Sequence, residues 1–165
     1  PYCAYPKDLE LIPKAAEAIR MLNEHKFLTV VISNQSGIGR KLFTEEMLKK
    51  VHDKLNNDLA HSMAHLDAIY YCTHHPDELC KCRKPQPTLL FQAAENLNID
   101  LQHSYMVGDK ITDTMAGQNA GCLSILIQDP SISFNYKFPP DHISSNLFEA
   151  VLWIIQHNAN ISHIS

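Results

Sequence analysis

The sequence predicts an α/β fold: a parallel sheet covered on both faces by helices, in three layers of Rossmann-like type. Three observations predict it. Short runs rich in apolar and β-branched residues, "FLTVVI" (27–32), "LDAIYY" (66–71), "SYMV" (104–107) and "LSILI" (123–127), alternate with longer stretches of helical spacing. The connections are short, as in consecutive strand–helix units. Three chemically unusual segments, "SNQSGIGR" (33–40), the cysteine-rich loop after residue 71 and "GDKITD" (108–113), each follow the end of a predicted strand. Open parallel sheets bind their ligands at that edge, so the three segments are expected around one site.

Each element has its own signal. Ala15, Ile19 and Leu22 behind Pro13 predict a helix over 13–25. "FLTVVI" is continuous rather than alternating, the pattern of a strand buried on both faces. Thr44 before Glu45 and Glu46 predicts a helix start, with acids at the positive end of the dipole. Leu48, Val51, Leu55 and Leu59 continue one stripe down that helix. Pro87 opens a helix carrying Leu90, Ala93, Ala94 and Leu97; a shorter one over 112–119 stops at Gly121. After a loop rich in Pro and Ser, Leu147, Val151, Ile154 and Ile155 mark a last helix. No internal repeat interrupts this order.

A chain of 165 residues is long enough to bury one core. Its net charge of -4 gives no reason to expect nucleic acid or an anionic membrane as partner. Its apolar runs are too short to cross a bilayer, and no export signal is apparent. Five cysteines, three of them crowded into one loop, suit a reducing cytoplasm and bound metal better than a disulfide framework.

That loop carries Cys72, His74, Cys80 and Cys82, a Cys-x-His-x5-Cys-x-Cys arrangement. Three thiolates and an imidazole are the donor set of a closed tetrahedral Zn2+ site, structural because no position remains for substrate. Such a metal would hold a coreless loop and aim Arg83 and Lys84; free thiols beside a chance histidine are the plainer reading. His75 is expected outside the site, capping the loop or facing solvent. "SNQSGIGR" offers backbone N–H groups with Ser33 and Asn34, suited to a phosphate but equally to an ordinary loop. In "MVGDKITD", Asp109 at a strand end suits Mg2+ or a capping turn, and Asp113 a supporting acceptor or helix cap.

Together these segments resemble the haloacid dehalogenase (HAD) superfamily phosphatases, specifically the D-glycero-D-manno-heptose 1,7-bisphosphate phosphatases and the related histidinol-phosphate phosphatases. "VVISNQSGIGR" resembles the family's second motif, which implies that Ser33 binds the transferring phosphoryl group with Asn34 beside it. "CKCRKP" is similar to the region of the third-motif lysine, here Lys84, with Arg83 contacting substrate. "MVGDKITD" resembles the fourth motif, implying Mg2+ on Asp109 and substrate near Lys110, with Asp113 beside them. The family's zinc loop falls on Cys72, His74, Cys80 and Cys82. The likeness runs over about 8–127. "NQSGI" followed by Arg and "FT", and the triplet "GDK", look like the heptose enzymes of lipopolysaccharide precursor synthesis.

The resemblance thus implies a cytoplasmic, monomeric, Mg2+-dependent and zinc-stabilised phosphatase acting on a small sugar phosphate. A histidinol-phosphate phosphatase is the nearest alternative, and an inactive zinc-stabilised binding domain the rival from another class. One departure qualifies the expectation. The first family motif, Asp-x-Asp-Gly-Thr, supplies the nucleophile of an aspartyl-phosphate mechanism and the general acid. "PYCAYPKDLE" has no counterpart, since Asp8 lacks a partner Asp and a strand. The expectation is a single HAD-like domain over 1–165, incomplete at its N-terminus and inactive as written. "FLTVVI" and "SYMV" would flank the place of a missing central strand and would not pair with each other, while Ser33, Lys84 and Asp109 would share one pocket.

Overall fold

The computed structural model describes residues 2–129, 131–132, 135 and 137–162. Its helices and parallel strands confirm the α/β class, but the expected single sheet is realised as two. They belong to two compact units, Pro1–Arg83 and Lys84–Ser165.

In the first unit, α1 (Ala15–Glu24) starts two residues later than predicted. Beyond it Lys26 takes a left-handed turn (φ 64°), and the Phe27 N–H reaches back to the Leu22 carbonyl at 3.0 Å. Strand β1 (Val30–Asn34) and strand β2 (Ala68–Cys72) pair in parallel from Val30↔Ala68 to Asn34↔Cys72. Both start later than their apolar runs. Thr29 is held by a side-chain network: its N–H donates to the Asp67 carboxylate at 2.6 Å and its hydroxyl to the His65 carbonyl at 2.9 Å. Leu28 lies outside the strand and is 52% exposed. Burial on both faces is not realised either; every β1 residue is half-buried, with β2 its only paired neighbour among the described residues.

Between these strands the segment predicted as a loop contains one helical turn, α2 (Ser36–Gly39). The following α3 (Glu45–Ala60) begins as expected, the Thr44 hydroxyl accepting the Met47 N–H at 3.2 Å. Leu48, Val51 and Leu59 of its stripe are buried. The His52 and Tyr71 rings, 5.4 Å apart, bring α3 to one face of β2. The next residue, Cys72, points to the other face.

In the second unit, β3 (Tyr105–Gly108), β4 (Leu123–Ile127) and β5 (His142–Ser144) form a parallel sheet in the order β3-β4-β5. Strands β1 and β3 lie in different sheets and do not pair, as expected. The three-residue β5 was hidden in the Pro- and Ser-rich loop. It is aligned by Asp141, whose carboxylate accepts both the N–H and the hydroxyl of Ser124 at 2.7 Å. Pro87 caps α4 (Thr88–Leu97), which packs on α5 (Ile111–Ala120).

Adjacent β3 residues show how this sheet is covered. Met106 touches Gly117 of α5, while Tyr105 meets Trp153 and His157 of α6 (Leu147–Ser162). Successive strand side chains face opposite ways, so α5 and α6 cover opposite faces, giving this unit three layers. Gly121 (φ 91°) ends α5 in the left-handed region, as its sequence position implies.

Candidate active site and metal centre

The four predicted metal ligands come together within the first unit. β2 delivers Cys72 at its last residue, and the loop folds back to bring one ligand atom from each of Cys72, His74, Cys80 and Cys82 to within 4.8 Å of one another. Cys72 Sγ lies 3.6 Å from Cys80 Sγ and 3.5 Å from His74 Nδ1, near the about 3.8 Å edge of a tetrahedron with zinc–sulfur bonds of about 2.3 Å. His74 Nδ1 is 3.1 Å from Cys82 Sγ, and the Cys72–Cys82 edge is shorter, 2.6 Å.

The electrostatics of this crowding are lopsided. Burial, then the hydrogen bond and charge of Cys72, push the Cys82 thiol up to about 12. At Cys80 burial opposes ionisation, but the Arg83 backbone N–H and the neighbouring thiols outweigh it and lower the pKa. Soft donors this close repel one another as thiolates unless a cation lies among them, and with no carboxylate in the set the residues fit Zn2+. Cys3 and Cys122 stand apart from the cluster. His75 does so too: its N–H donates to Glu78 at 2.9 Å and its Nδ1 accepts the Asp77 N–H at 3.2 Å, so it caps the loop's turn.

The second-motif segment lies against this loop. Ser33 and Asn34 end β1, where the Ser33 hydroxyl accepts from the Gln35 side-chain amide at 2.9 Å. The Gln35 backbone N–H donates to the Cys72 carbonyl at 2.7 Å, so one of the amides expected to cradle phosphate is already engaged. Arg83 follows the loop, and its buried Nη1 has no hydrogen-bond partner among the described residues. A buried N–H left without an acceptor costs about 1–3 kcal/mol.

The second unit holds the remaining predicted residues. Lys84 Nζ sits 2.9 Å from Asp113 Oδ1, with the two side chains only 10% and 8% exposed. The other Asp113 oxygen accepts the Lys110 N–H at 3.1 Å, capping the start of α5. Asp113 therefore caps the helix, one of the two roles its position suggested, and also holds Lys84. Gly108 makes room for it, since a Cβ there would strike the Asp113 carboxylate carbon at 2.6 Å. Asp109, beyond the end of β3, is exposed and has no hydrogen bond or ion pair among the described residues. An open carboxylate oxygen is what a hard cation such as Mg2+ requires. The side chain of Lys110 is exposed beside it.

The structure thus gathers the four soft ligands in one unit and joins Lys84 to the fourth-motif turn in the other; Ser33 and Arg83 belong to the first unit, Asp109 and Lys110 to the second. The sequence offers Asp113 only as a supporting acceptor or helix cap, not as the partner of Lys84. Its place four residues after Asp109 was the available signal, whereas its pairing with Lys84 is tertiary.

Comparison with known proteins identifies the family. A family model described as "HAD-hyrolase-like" matches residues 81–150. The D-glycero-D-manno-heptose-1,7-bisphosphate 7-phosphatase of Chlorobaculum tepidum is 34% identical over 166 residues, 91% of this chain and 83% of that protein. The chain belongs to the heptose bisphosphate phosphatase family of the HAD superfamily.

Within this family the Yersinia pestis D-glycero-beta-D-manno-heptose-1,7-bisphosphate 7-phosphatase is 45% identical, but over only 66% of this chain and 62% of its own length. A crystal structure of D,D-heptose 1.7-bisphosphate phosphatase from B. bronchiseptica, complexed with magnesium and phosphate, superposes with a TM-score of 0.84 at 28% identity. It covers 94% of this chain and 89% of that one. No helix among the described residues is long and apolar enough to cross a membrane.

Proposed function

We propose that the chain serves the Mg2+-dependent hydrolysis of a sugar phosphate monoester, D-glycero-D-manno-heptose 1,7-bisphosphate, in the cytoplasm and as a monomer. The substrate assignment is carried by one observation: relatives 34–45% identical bear the name of a heptose bisphosphate 7-phosphatase. The 165 residues are read as one phosphatase domain with two metals of different duty. Neither nucleic acid nor membrane has a part in this reading.

The chain's own residues divide the work. Ser33 donates its hydroxyl to an oxygen of the reacting phosphoryl group, and Asn34 lies beside it. Lys84, its ammonium held by Asp113, presents fixed positive charge to the same group. Preorganised charge of this kind needs little rearrangement as the reaction proceeds. Arg83, with an unsatisfied buried Nη1, binds the rest of the substrate, as does Lys110. Asp109 would hold Mg2+, which supplies charge neutralisation at the phosphoryl oxygens. Cys72, His74, Cys80 and Cys82 would hold a structural Zn2+. The nucleophile and general acid of the family's first motif have no counterpart in these 165 residues.

The test is an assay of the protein expressed from its full reading frame on heptose 1,7-bisphosphate and histidinol phosphate, with and without Mg2+. Preference for the heptose substrate is expected. Turnover of histidinol phosphate alone would reassign the substrate. Failure to hydrolyse either, with an upstream Asp-x-Asp segment present, would favour a non-catalytic zinc-stabilised domain.

A further inference from the structure

Gly39 lies in the second-motif segment, yet its neighbours belong to the metal loop. A Cβ at this position would lie 2.7 Å from the His74 carbonyl carbon and 2.7 Å from the Thr73 oxygen, and would also strike the His75 backbone nitrogen. All three are main-chain atoms and cannot swing aside as a side chain could. Backbone conformation is not the reason for glycine here, because Gly121 is the only described glycine with a positive φ. The requirement is for close approach of two backbones.

Two further links tie the same segments together. Asn34 is in register with Cys72 across the β1–β2 pair, and the Gln35 N–H donates to the Cys72 carbonyl at 2.7 Å. The stretch 34–39 is thus fastened at both ends to the stretch 72–75. That second stretch contains two of the four metal-ligating side chains, Cys72 and His74.

We infer that Gly39 is a positioning residue that couples the cysteine–histidine metal site to the segment carrying Ser33, so that metal occupancy sets the geometry of that segment. The inference rests on the reading of the cluster as a zinc site and deepens it: the metal orders the second-motif segment as well as its own loop. Displacement at Gly39 must move His74, and loss of the metal must release residues 33–40. Coupling of this kind is reciprocal.

Two measurements test it. Zinc affinity is read by competition with a chromogenic chelator for the unaltered protein, Gly39→Ala and Gly37→Ala. The comparison variant lies in the same turn, but its Cβ would meet the ring of Phe43, with Cζ at 2.7 Å, rather than the metal loop. Gly39→Ala is expected to lose about 10- to 100-fold in zinc affinity, the scale of changes behind a first ligand, and Gly37→Ala to keep it.

Hydrogen exchange of the unaltered protein, with zinc and after chelation, provides the second readout and decides the matter if Gly39→Ala does not fold. Amides of 33–40 should lose protection together with 72–82, while those of α1 in the same unit keep theirs. Unaltered zinc affinity in Gly39→Ala would overturn the inference. So would unchanged protection of 33–40, or an equal loss throughout α1. Absence of zinc binding by the unaltered protein would instead defeat the metal reading itself, and the inference with it.

Discussion

Asp113→Asn isolates the contact on which the second half of the site depends. The substitution preserves shape and leaves a carbonyl oxygen for the Lys110 N–H, but removes the charge facing Lys84. At 2.9 Å two unit charges attract by about 6 kcal/mol at an effective dielectric of about 20. Desolvation of the two ions offsets much of this, several kcal/mol for each. Removing one partner is a different matter, since the other keeps its buried charge without this counter-ion, at a cost of about 3–5 kcal/mol.

With Lys84 and Asp113 only 10% and 8% exposed, solvent screening lightens that cost little. The lower end, about 3 kcal/mol, is expected because Lys84 has a further interaction besides Asp113. At about 2–4 °C per kcal/mol for a chain of this length, the midpoint should fall by about 6–12 °C. Thermal and urea unfolding followed by circular dichroism measure it. The double substitution Lys84→Met with Asp113→Leu, which removes both charges, should recover most of the loss while sacrificing activity. A midpoint within about 2 °C of the unaltered protein for Asp113→Asn, or no recovery in the double variant, would refute this account of the pair.

Four other outcomes follow from the same structure. Metal analysis of protein purified without chelator should find about one zinc per chain at bonds of about 2.3 Å to sulfur, and less than half an equivalent would exclude a resident metal. Thiol titration near pH 8 should find Cys3 reactive in the zinc-loaded protein and the three cluster cysteines reactive only after chelation. Cys122, pushed up to about 11 by burial, should react only on unfolding, since thiolate forms as pH rises towards that value. In active protein, Lys84→Ala should lower turnover of p-nitrophenyl phosphate by on the order of 100-fold or more and Arg83→Ala far less; equal losses would mean their roles are wrongly divided. Thr44→Ala should destabilise the chain by about 1 kcal/mol in urea unfolding, through the lost cap on α3, and no change would dismiss that cap.

The sequence by itself determined the fold class, the family and most elements, because those properties are local or additive. Apolar periodicity over ten residues forms a helix wherever it lies, and "LSILI" became β4 at its predicted bounds. Ligand type and spacing within eleven residues were enough to single out Cys72, His74, Cys80 and Cys82, since so short a loop can close on itself. Distant partners decided what it could not. β1 begins at Val30 rather than Phe27 because Thr29 is captured by Asp67 and His65, more than thirty residues on. β5 exists because Asp141 finds Ser124, not because "HIS" favours a strand. The union of Lys84 with Asp113 and the approach of Gly39 to the metal loop are likewise tertiary. A charge or a missing Cβ carries no mark in the sequence of the partner it will meet; only the folded backbone, by bringing them into contact, gives either one a role.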